Sequence, residues 1–140
     1  SKFNFLGERG SIAFLELCLE EKLLSKAASV DLSGQGLRDS AVPVLVEVLR
    51  TCPRVSSVNL SNNVISTKSA MLLYDWLQSR PDVSTFDLTE TRVDVGMRRQ
   101  FDQLLAERGG VPMHKRAALR VEEASATAFL RRSLAALEQP

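Results

Sequence analysis

The chain repeats itself every 28 residues, and this period constrains its fold more than any other feature. Three segments align without a gap, 27–54 (AASVDLSGQGLRDSAVPVLVEVLRTCPR), 55–82 (VSSVNLSNNVISTKSAMLLYDWLQSRPD) and 83–110 (VSTFDLTETRVDVGMRRQFDQLLAERGG). The apolar columns are Ala27/Val55/Val83, Val30/Val58/Phe86, Leu32/Leu60/Leu88, Leu37/Ile65/Val93, Leu45/Leu73/Phe101, Val48/Trp76/Leu104 and Leu49/Leu77/Leu105. A unit this short cannot bury its apolar side alone, so neighbouring units must stack and share a core.

Each unit carries two periodicities. Val30-Asp31-Leu32 alternates apolar and polar, as a half-buried strand does. Leu45, Val48 and Leu49 stand at helical spacing, as do Leu73, Trp76 and Leu77. Pro53, Pro81 and Gly109 end the helices and return the chain to the next strand. Pro43 falls early in its helix, where it is tolerated. The expected fold class is α/β: a right-handed succession of strand, turn and helix, with a parallel sheet inside and helices outside.

The motif VSSVNLSNNVI, with the spacing LxxLxLxxNxL, resembles the leucine-rich repeat, and the 28-residue length is similar to its ribonuclease-inhibitor subclass. The resemblance covers about residues 27–110. It implies a solenoid, and it implies that Asn63 is buried and bonds backbone groups of adjacent turns. Gln35 and Thr91 occupy the Asn63 position in the flanking units; Gln35 departs from the pattern, which points to an irregular first turn. The third unit, with TETRVDVGMRRQFDQLL, is similar to closing repeats of cytoskeletal and flagellar leucine-rich-repeat proteins, which implies a cytoskeletal association.

A stack needs capped ends. Residues 11–25 (SIAFLELCLEEKLLS) read as a helix with Ser11 near its N-cap and a stripe of Ile12, Leu15, Leu19 and Leu23, with Phe14 beside it. Residues 1–26 then form an N-terminal helical cap, with Phe3, Phe5 and Leu6 tucked onto it. Residues 111–140 form a closing element, helical over 113–138 on composition. It carries one stripe of Met113, Ala117, Val121, Ala124 and Ala128, and a second of Ala126, Phe129, Leu130, Leu134 and Leu137. Two roles fit it: a helix that caps the third unit, or one that homodimerises or binds a partner helix.

In the resembled family the sheet side is the usual binding surface. Here that row comprises Ser29, Asp31, Ser33, Ser57, Asn59, Ser61, Thr85, Asp87 and Thr89. These side chains are small and lack the Trp, Tyr and Arg anchors of strong interfaces. The row reads either as a solvated or covered sheet face or as a shallow acidic-polar groove for a basic segment. Asp31 and Asp87 lie two strands apart, ~10 Å at the usual strand spacing. That is too far for a shared metal or a shared proton.

Charge sharpens the choice of partner. Over 140 residues, 18 Lys and Arg balance 17 Asp and Glu, a net of +1, which argues against a dedicated nucleic-acid binder. Locally, Arg92, Arg98, Arg99, Arg108, Lys115, Arg116 and Arg120 face only Asp94, Asp102 and Glu107 within 92–120, a net of +4. This basic region suits an acidic partner, or else forms ordinary helix faces with pairs such as Asp102 and Arg98 or Arg99.

One His and two Cys leave no four-ligand zinc set and no disulfide framework. Cys18 and Cys52 read as buried free thiols, His114 as a surface residue, Trp76 as core and Tyr74 as an outward contact residue. GQG at 34–36 lacks the spacing of a phosphate loop. No cofactor, metal or catalytic set is expected. No apolar run approaches a membrane span, and the first residues lack a signal-peptide core. A cytoplasmic location follows as the expectation, and Ser1 in place of Met fits a piece of a longer chain. The function expected is a non-catalytic scaffold or adaptor for protein partners. The alternatives are self-association through the closing helix and capture of an acidic partner by the basic region.

Overall fold

A computed structural model describes residues 7–113. The chain is α/β, with helices α1 (Gly7–Glu21), α2 (Val42–Arg50), α3 (Thr67–Gln78) and α4 (Val95–Glu107). Three strands, β1 (Ser29–Asp31), β2 (Ser57–Asn59) and β3 (Thr85–Asp87), form one parallel sheet in the order β1-β2-β3. The association-helix residues Ala126, Phe129, Leu130, Leu134 and Leu137 lie outside the described residues, as do Phe3, Phe5, Leu6, His114, Lys115, Arg116 and Arg120.

The strand register is the 28-residue period. Val30 pairs with Val58 and Val58 with Phe86, and the flanking residues follow in step. The columns therefore become rows in space. Val30, Val58 and Phe86 are buried, as are Leu32, Leu60 and Leu88, within one core that runs from Phe14 to Met113. Phe86 packs 5.1 Å from Phe101 and 6.3 Å from Trp76, ring centre to ring centre. Trp76 is thus core. Tyr74, read as an outward contact, is half-buried instead, because its ring meets Phe101 edge-on at 5.2 Å. Leu104 is only partly buried.

Asn63 is buried and binds the backbone of two adjacent turns. Its amide donates to the carbonyls of Leu32 (2.9 Å) and Leu60 (3.0 Å). Its Oδ1 accepts the N–H groups of Gln35 (3.1 Å) and Leu37 (2.9 Å). Unit two thereby satisfies the donors of the turn where unit one has Gln35 in place of Asn. Thr91 works only within its own unit, donating to the Leu88 carbonyl at 2.6 Å and accepting from Val93 N–H. The first turn is the irregular one: Gly36 adds a second positive φ (74°) to that of Gly34 (63°), whereas units two and three have only Asn62 and Glu90 there, both at 56°.

The N-terminal helix differs from its expected form. It starts at Gly7, one turn earlier, and ends at Glu21, because Lys22 takes a left-handed φ of 54° and turns the chain. Ser11 is not a cap: it is buried inside α1, and its hydroxyl donates to the carbonyls of Gly7 and Gln35. The buried stripe is Ser11, Phe14, Leu15 and Cys18, with Ile12, Leu19 and Leu23 at its margin. The stripe is rotated because α1 packs against α2 and the short 3-10 turn Asp39–Ala41. Pro43 falls in the first turn of α2.

Candidate functional site

The sheet-side row is drawn into the chain's own hydrogen bonding. Asp31 Oδ1 accepts the N–H (3.0 Å) and hydroxyl (2.7 Å) of Ser33. Asn59 Oδ1 accepts Ser61 N–H at 3.0 Å. Asp87 Oδ1 accepts the N–H (2.8 Å) and hydroxyl (2.6 Å) of Thr89. Each strand thus ends with its last side chain capping the N–H two residues on, a local bond that Asp and Asn make readily. Thr85 donates its hydroxyl to Ser57 Oγ at 2.6 Å. Asp31, Asn59, Thr85 and Asp87 are buried, while Ser29, Ser33, Ser57, Ser61 and Thr89 are half-buried. What this face can offer a partner is a shallow strip of hydroxyls, with its carboxylates occupied.

The basic region divides. Arg108 does not belong to a free patch: its guanidinium donates to the carbonyls of Leu77 (2.7 Å), Arg80 (2.9 Å) and Val83 (3.4 Å). Leu77 lies in the last turn of α3, where orphan acceptors need donors and cations are favoured, and Arg80 and Val83 lie in the connection to β3. Arg80, missed by motif reading, holds the same place one unit earlier on Leu49, Pro53 and Val55. The 28-residue spacing of the two arginines was the available signal. Arg92 and Arg99 are exposed and Arg98 is half-buried.

Arg98 and Arg99 do not pair with Asp102. The Asp102 carboxylate instead accepts the Met113 N–H at 2.7 Å. Arg98 Nε is buried without a hydrogen-bond partner. The two arginines line a depression of about 260 Å³ with Thr89, Val95, Asp102 and Met113. Its lining comes from the third unit and the residue just after it, and β3 is the last strand of the sheet among the described residues.

A side-chain ladder explains why the stack changes character there. Asp39 Oδ1 accepts Ser66 N–H at 2.8 Å, and Thr67 Oγ1 accepts Asp94 N–H at 2.9 Å. Burial pushes the Asp39 carboxyl up, but the Ser66 N–H, the Ser69 and Ser66 hydroxyls and Arg92 outweigh it and hold it below the usual carboxylate range. The third member of this column is Val95, which cannot accept and stands 51% exposed. The strand ladder changes in the same place. Leu32 N–H donates to Asn59 O and Leu60 N–H to Asp87 O, whereas Leu88 N–H meets the Met113 sulfur at 3.4 Å.

On the helix side Met71 (57%) and Leu72 (46%) are exposed. Cys18 and Cys52 are free and buried. Burial, then the neighbouring Cys52, pushes the Cys18 thiol up to about 12. Burial also raises Cys52, against the Thr51 hydroxyl and Arg80. Among the described residues, no three His, Cys, Asp or Glu side chains gather to hold a metal ion, and no helix is long and apolar enough to cross a membrane. No protein-family model, curated protein or solved structure matches this chain.

Proposed function

We propose that this chain is a leucine-rich-repeat solenoid of the ribonuclease-inhibitor type, and that it works as a non-catalytic protein-interaction module. The observation that carries this reading is the set of bonds recurring from unit to unit. Asn63 joins units one and two, while Arg80 with Arg108 and Asp39 with Thr67 make the same link twice over. Such bonds hold three turns in one register, so surface side chains are presented on a rigid frame. Preorganisation of this kind lowers the ordering cost of binding.

The test is a quantitative affinity capture with the whole chain, comparing wild type with three surface variants. Ser61→Arg alters the sheet side, Met71→Asp with Leu72→Asp the helix side, and Arg98→Gln with Arg99→Gln the depression of the third unit. A binding module yields a partner lost selectively with one face and bound directly once purified. Equal capture by all four proteins, or a measurable chemical turnover by the pure chain, overturns the reading.

A further inference from the structure

We infer that the depression of the third unit binds an acidic peptide segment of a partner protein, seating one Asp or Glu carboxylate beside an aliphatic side chain. This rests on the interaction-module reading above and adds the surface and the chemistry of what it takes. Arg98 and Arg99 supply two guanidiniums that engage no acid among the described residues, and Arg98 carries a buried N–H without an acceptor. Arg99 is exposed and Arg98 half-buried, so a ligand carboxylate seated in the depression would meet guanidinium N–H groups in charge-assisted bonds. Val95 and Met113 supply the apolar part, with Val95 half exposed where the preceding units carry an acceptor.

The same lining disfavours a phosphate polymer. The Asp102 carboxylate, which accepts the Met113 N–H, stands in the depression and repels a dianionic phosphate more than a singly charged side chain. Among the described residues, no aromatic ring lines it to stack a base. About 260 Å³ suits one or two side chains rather than a nucleotide run. Charge complementarity and size therefore favour a short acidic-aliphatic peptide over nucleic acid or an anionic lipid surface.

The experiment is selection of a random displayed peptide library on the whole chain, followed by titration of the enriched synthetic peptides. The expected result is enrichment of Asp or Glu next to Leu, Ile or Val. Affinity should fall about tenfold or more for Arg98→Gln with Arg99→Gln, the loss of a charge-assisted bond. It should fall similarly for Val95→Asp, and added salt should weaken binding. Arg99 and Val95 are exposed, so Arg99→Gln and Val95→Asp alone keep the test valid if the double variant unfolds. Single-stranded oligonucleotides and phosphatidylserine vesicles are titrated in parallel. Tighter, arginine-dependent binding of either, enrichment without an acid, or no enrichment overturns the inference. Peptides lost with Ser61→Arg but indifferent to Arg98→Gln and Arg99→Gln overturn it while leaving the interaction module standing.

Discussion

Arg108 repeats Arg80 one unit later: each guanidinium reaches back over the carboxyl end of the preceding helix, Arg80 to Leu49 and Val55, Arg108 to Leu77 and Val83. The paired targets are again 28 residues apart, so the same bond is made twice by the same geometry. Arg80 also lies 5.4 Å over the Trp76 ring and is only 16% exposed in its side chain. Replacing either arginine by Met keeps the apolar stem and removes the donors. Each variant should lose about 1–3 kcal/mol, the cost of orphaning carbonyls bonded to a charged donor. Arg→Lys should recover only part, since a point charge cannot span carbonyls on a fork. Urea unfolding midpoints measure this, and wild-type stability in both Met variants would remove the clamp from the account.

Asn63→Ala should cost more than Thr91→Ala. The asparagine serves backbone groups of units one and two, whereas the threonine bonds stay within unit three. Each buried group left unmade costs ~1–3 kcal/mol, and Asn63 leaves several. Asn63→Asp should also destabilise, since it keeps the acceptor for Leu37 and loses the donor to Leu32. Equal midpoints for Ala at 63 and 91 would contradict the cross-unit role.

Stability should fall at alkaline pH through the thiols. Cys18 is held protonated in the folded chain to about 12, against an ordinary value of 9.0. Between these values the unfolded chain gives up the proton and the folded chain keeps it, so the unfolded state is favoured as pH rises. Below about 9 this contribution is constant. Chemical unfolding from pH 8 to 11 should show a steeper decline for wild type than for Cys18→Ala. Thiol labelling of the native chain should also be slow at pH 8 and fast in denaturant, because the thiolate is the reactive form.

Two backbone positions predict opposite effects. Glu90 holds a φ of 56° in the column of Gly34, so Glu90→Gly should stabilise by roughly 0.5–1 kcal/mol by relieving left-handed strain. At Gly110 a Cβ would collide with the Ser84 carbonyl oxygen, so Gly110→Ala must displace the chain where it leaves α4. Gly110 N–H bonds Leu105 O and Val111 N–H bonds Ser84 O, and both bonds should be lost. Hydrogen exchange at those two amides reports it directly, and unchanged protection would show that the backbone gives way elsewhere.

The 28-residue columns were legible before any coordinates because apolar burial is a sum over many undirected contacts. Repetition at Val30, Val58 and Phe86 is enough to register three strands. The ends were less legible. Ser11 looked like a cap by residue type, yet Gly7 and Gln35 take its hydroxyl, and those partners come from where the helix docks. The candidate site was least legible: Arg98 and Arg108 are alike in sequence and differ in what surrounds them.

The sequence by itself therefore determined the α/β order of elements, the unit length, the strand register and the central core. Only the tertiary structure decided which polar groups are spent. It engaged Asp31, Asn59 and Asp87 in ending their own strands, tied Arg108 to the Leu77 carbonyl, and left Arg98 and Arg99 beside an exposed Val95. The reason is that hydrogen bonds are directional and need an acceptor near 3 Å. The acceptors that decide these cases are carbonyls and side chains brought close by stacking and chain reversal, which the linear spacing of residues does not specify.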